Sequence, residues 1–62
     1  MKNIDICIYK ENNIFFVDLL KWKQISDIPI QIDDMFNFSL ENKKYFVKVI
    51  EVNSTDAKLK LL

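Results

Sequence analysis

Apolar and polar residues alternate along most of this chain with the two-residue period of β-strands. Ile4, Ile6 and Ile8 alternate with Asp5, Cys7 and Tyr9. A second segment, Ile14 to Trp22, is rich in aromatic and β-branched residues and also predicts a strand. Between them Glu11-Asn12 reads as a tight turn, because asparagine tolerates positive φ and the chain has no glycine. A two-residue turn sets Ile8 opposite Phe15, Ile6 opposite Val17 and Ile4 opposite Leu19. A four-residue turn shifts the pairs by two and keeps the faces. Either way one face of this hairpin is apolar.

The same logic recurs downstream. Phe36, Phe38 and Leu40 alternate with Asn37, Ser39 and Glu41, Asn42-Lys43 reads as the turn, and Tyr45, Val47 and Val49 return on the same side. Parity then breaks, since the next apolar positions are Ile50 and Val52 with Glu51 between them. The first hairpin breaks similarly, from Val17 and Leu19 to Leu20 and Trp22. Such a break predicts a bulge or corner, with Val49 and Ile50 both buried. After a polar turn at 53–56, Ala57, Leu59 and Leu61 alternate with Lys58 and Lys60. The matching segment of the first half is 23–34, where Ile28, Ile30 and Ile32 flank Pro29 and Gln31. Proline cannot donate to a ladder, so this is an edge strand or an irregular extended stretch. A short helix from Leu19 to Ile25 is the competing local reading.

Each half therefore reads strand, turn, strand, bend, strand. The prediction is one all-β domain spanning 1–62, a five- or six-stranded antiparallel meander or small barrel of the Src-homology or Sm type. An oligonucleotide-binding fold has little room here for its extra helix. ENNIFFVDLL (11–20) and ENKKYFVKVI (41–50) share four of ten positions, which admits two hairpin-based half-repeats. Hairpins in a narrow alphabet of Ile, Lys and Asn produce similar matches without duplication.

Composition narrows the chemistry. The chain has 62 residues, half of them apolar, too many for a disordered segment and close to the lower limit for an unaided core. Its single cysteine excludes an internal disulfide, and with no histidine there is little to ligate a metal, so no metal or cofactor is expected. A small domain without either staple needs a dense core or a second chain. The formal net charge is zero, which excludes a broad field attracting nucleic acid or anionic membrane. All nine basic residues are lysine, and glycine is absent, a bias matching an AT-rich genome such as that of some bacteria and their phages. The N-terminal MKNIDICIYK lacks a signal-peptide pattern, and no segment approaches the roughly 18 apolar residues of a membrane helix. A cytoplasmic protein with a reduced Cys7 thiol and no membrane partner is the expectation.

The predicted outer faces differ. On the first hairpin Asp5, Cys7, Tyr9, Ile14, Phe16 and Asp18 point outward, and on the second Asn37, Ser39, Glu41, Lys44, Phe46 and Lys48. A hairpin apolar on both sides needs two covers, here either the 23–34 segment or another protein surface. Trp22, between Lys21 and Lys23, suits stacking on a base, or else plugs a barrel end. Lys44, Lys48, Lys58 and Lys60 form a basic stripe with Phe46 in reach, weakened where Glu51 lies opposite Lys58. Asp5 and Asp18 oppose each other in the two-residue register, an arrangement that binds a cation or costs repulsion. Asp27, Asp33 and Asp34 lack calcium-loop spacing. No histidine base, glycine loop or nucleophile elbow is present, which argues against an enzyme. The leading expectation is a non-enzymatic, self-associating protein-interaction module using Cys7, Tyr9, Ile14, Phe16 and Trp22, of the kind a phage or mobile element directs at host machinery. The alternative is a single-stranded nucleic-acid binder using Trp22, Lys44, Phe46, Lys48, Lys58 and Lys60.

Overall fold

The computed structural model describes residues 4–62; the first three residues of the N-terminal segment read above lie outside them. Five antiparallel strands, β1 (Ile8–Glu11), β2 (Ile14–Asp18), β3 (Met35–Leu40), β4 (Lys43–Val52) and β5 (Asp56–Leu61), lie in one sheet in the order β1-β2-β5-β4-β3. The sheet curls into a half-barrel, with one helix, α1 (Leu19–Ile25), and a 3-10 turn at Ile4–Cys7. The all-β reading holds. Its inner face carries the core: Ile8, Phe15, Val17, Phe38, Val47, Val49, Ala57 and Leu59 are buried, with Cys7 beside them. Phe15, Phe38 and Tyr45 form an aromatic cluster there, with ring centroids 4.9 to 5.4 Å apart.

Both hairpins close one residue away from the expected positions. The turn residues are Asn12-Asn13 and Glu41-Asn42, and all four have positive φ, as a two-residue type I′ turn requires. Ile8 consequently faces Val17 and Phe38 faces Tyr45, two residues out of the two-residue registers expected. The inward faces are unchanged, because a shift of two preserves parity.

Three stretches depart from the strand reading. Ile4–Cys7 leaves the sheet as a 3-10 turn, whose three-residue period brings Ile4 and Cys7 to the core side and exposes Ile6. The second strand ends at Asp18 rather than Trp22. The Asp18 carboxylate caps α1 by accepting the amides of Leu20 and Lys21, 3.0 and 3.2 Å away. Leu19, Trp22 and Ile25, at helical spacing, then pack against the core. The competing helix reading was the correct one. Finally, 27–34 is the irregular stretch of the two alternatives and not an edge strand: Ile30 packs against the core, Ile28 and Ile32 are exposed, and the Asp33 amide and Asp34 carbonyl bond to Val49.

The corner in β4 is a bulge. Val49 pairs with Leu59 and Glu51 with Lys58, leaving Ile50 as the extra residue. Val49 is fully buried, but Ile50 is 41 % exposed, contrary to the expected burial. A bulged residue is released from the pleat, so the corner is absorbed without filling the core with both side chains. The two halves also end differently, in α1 and in β5. Their turns are 29 residues apart at Asn13 and Asn42, whereas buried Phe15 and Val17 match Tyr45 and Val47 at 30. The likeness preserves faces but not element order.

The outer face of the sheet as a candidate interaction surface

Alternation about the buried set turns Tyr9, Ile14, Phe16, Lys44, Phe46, Lys48, Lys58 and Lys60 to the outer face. Both groups of candidate residues thus share one surface, except Cys7 and Trp22. At its β1–β2 end Tyr9 and Phe16 are directly opposed, and their rings stack with centroids 5.4 Å apart. The Tyr9 hydroxyl donates to Asp56 Oδ2 at 3.2 Å, and Asn53 Nδ2 donates to Asp56 Oδ1 at 2.9 Å. Burial, and then the Asp56 carboxylate beside it, push the Tyr9 phenol above its ordinary pKa. Ile14 extends this patch along β2, half-buried like Phe16.

Lysines cross the middle of the face. Lys58 lies between Phe16 on β2 and Glu51 on β4, as the sequence suggested for Glu51. Lys60 lies opposite Lys48, and Lys48 Nζ is 3.5 Å from Asp33. Two of the four lysines therefore have an acidic neighbour. At the β3–β4 end Phe46 is 60 % exposed beside Leu62, whose amide donates to the Phe46 carbonyl at 2.9 Å. Met35 lies on the same face, opposite Lys48. Met35 and Leu62 are members that sequence reasoning missed. Their parity was the available signal, for Met35 matches Asn37 and Ser39, and Leu62 matches Lys58 and Lys60. The second hairpin's outer face is accordingly less wet than expected.

Cys7 is buried in the 3-10 turn, away from this surface. Burial raises its thiol pKa, Asp18 adds to the rise and Lys21 opposes it. A thiol held neutral this way is a packing group rather than a nucleophile. Trp22 sits on α1 with its ring against the core, and its indole N–H donates to the Ile28 carbonyl. The polar edge of the ring is thereby already used. The 23–34 segment packs beside Trp22 and β4, so it is not the cover of the Tyr9–Phe16 patch. Asp5, in the 3-10 turn, is not opposed to Asp18, which instead faces Asp56 on β5. Among the described residues no cluster of three or more Cys, Asp or Glu is placed to hold a metal ion.

No helix among the described residues is long and apolar enough to cross a membrane. No family model matches the chain, and neither the curated proteins nor the solved structures contain a significant match. The surface itself carries the functional reading.

Proposed function

We propose that this chain is a non-enzymatic protein-interaction module that self-associates through the outer face of β1 and β2. The observation that carries the reading is the stacked Tyr9–Phe16 pair, with Ile14 alongside and Tyr9 tethered to Asp56. Interfaces gain most from aromatic anchors that are already ordered before binding, because little side-chain entropy is then lost. Among the described residues no such tether orders Phe46 or Met35, so the β1–β2 end is the better anchor although the β3–β4 end is more exposed. A two-fold contact brings two copies of Phe16 near the axis. A role for a phage or mobile element acting on host machinery belongs to the same proposal and is tested by what co-purifies from the native host. Phe16→Asp should abolish self-association while Phe46→Asp leaves it intact; the reverse pattern moves the interface to the β3–β4 end.

One observation favours a second reading, a binder of single-stranded nucleic acid. Lys44, Lys48, Lys58 and Lys60 share the outer face with exposed Phe46 and with Phe16. The acidic neighbours of Lys48 and Lys58 weigh against it. Titration of a fluorescent oligonucleotide at two salt concentrations separates the readings, since phosphate contacts weaken steeply with salt and apolar contacts do not.

A further inference from the structure

The strands on either side of β2 carry opposite charge on the outer face. Phe16 lies between Tyr9 on β1 and Lys58 on β5, so one line across the sheet reads ring, ring, ammonium. One pair further along these registers, Ile14 lies opposite Glu11 and level with Lys60. The outward charge of β1 is that of Glu11, because Lys10 turns inward, its Nζ 5.4 Å from the centre of the Phe15 ring. The other carboxylates near the patch are engaged, Asp56 by Tyr9 and Asn53, and Asp18 by the amides of α1. Among the described residues the Glu11 and Lys60 side chains form no hydrogen bond or ion pair. Lys60 instead faces the like charge of Lys48, which is unfavourable.

A face with an acid on one side of β2 and lysines on the other is complementary to itself. Stacked sheets keep their strand directions within about 30° of each other, which leaves two choices for a two-fold axis between the faces. An axis across the strands at Phe16 sets Lys58 against the partner's Lys58. An axis along β2 instead sets β1 of each copy over β5 of the other. Resting on the self-association proposed above, we infer that a second copy docks about an axis along β2, with each Glu11 paired to the partner's Lys60 and each Tyr9 ring beneath the partner's Lys58. Phe16 and Ile14 then meet their own counterparts at the centre, and each charge contact occurs twice. β4 and β3 fall beyond the edge formed by the other copy's β1, which leaves Phe46 and Met35 uncovered. The charge pairs select the orientation, while the apolar centre supplies the affinity.

Sedimentation of charge-reversed variants is the test. Glu11→Lys and Lys60→Glu each turn two attractive pairs into two repulsive ones, and each alone should weaken self-association by roughly tenfold at low salt. An equimolar mixture of the two variants recreates both pairs between unlike chains, so mixing should return the affinity to that of the unaltered protein. Glu41→Lys, which makes the same change of net charge in the β3–β4 turn, should associate normally and should not rescue Lys60→Glu. In about 1 M salt, where the screening length is about 3 Å, the variants and the unaltered chain should associate alike. Should a variant fail to fold, zero-length carbodiimide coupling of isotope-labelled with unlabelled unaltered chain must join Glu11 to Lys60 between the two isotopes. The geometry is overturned, with self-association left standing, if folded variants gain nothing on mixing or if an associating unaltered chain gives no such link. An unaltered chain that stays monomeric overturns both.

Discussion

Tyr9 and Phe16 lie directly opposite each other on β1 and β2, with their ring planes 17° from parallel. Their contact ties the candidate interface to the titration of one phenol. Burial and Asp56 raise the Tyr9 pKa, so the neutral form is favoured in the folded state. This stabilisation is complete below the ordinary phenol value of about 10. It declines as pH rises above that value, because the unfolded chain releases its proton first, and it is gone once pH passes the folded value. In a Tyr45→Phe background, tyrosinate absorbance should report a midpoint above the ordinary value, and Asp56→Asn should lower it. An unshifted midpoint contradicts the tether.

The inner face should respond to truncation far more than the outer one. Phe38 is 2 % exposed and touches the rings of Phe15, Phe36 and Tyr45, so Phe38→Ala should cost about 3–5 kcal/mol. Phe46→Ala, on the outer face, should stay within about 0.5 kcal/mol. Urea denaturation of the two variants measures the contrast.

Asp18 ends β2 and starts α1, and its carboxylate holds two helix amides. Asp18→Ala should destabilise the fold by about 0.5–2 kcal/mol, and Asp18→Asn much less, because asparagine is an equally good cap. Equal losses for both would show that the helix start depends on charge rather than on the hydrogen bonds.

How much of this was legible differs from place to place. Parity along 36–49 and 57–61 fixed which side chains face inward, because one buried face tolerates no odd shift in register. The turn positions were missed by one residue because a type I′ turn needs positive φ at two neighbours, and only a pairwise reading of Asn12-Asn13 reveals that. The stretch 19–25 fits both periods, since Leu19, Trp22 and Ile25 are spaced for a helix while 17, 19, 20 and 22 read as a broken strand. The cap at Asp18 decides between them, through a side-chain bond that alternation cannot express. Membership of the outer face followed from parity alone, whereas the Tyr9–Asp56 tether joins residues 47 apart and has no local signature.

Adjacent positions at the β4 bulge should behave oppositely. Val49→Lys places an unpaired charge in the core and should cost several kcal/mol, on the order of 3 or more. Ile50→Lys should be tolerated within about 0.5 kcal/mol, as a surface change is. Similar losses at both positions would mean that Ile50 is packed inside the corner.

The central claim is that this chain associates with itself, and sedimentation equilibrium of the unaltered protein tests it most directly. At about 100 μM, far above the micromolar Kd of a modest interface, the mass should be that of a dimer or larger, and raising the salt should not dissociate it. A mass that remains at the monomer value of 7.4 kDa across that range would contradict the account.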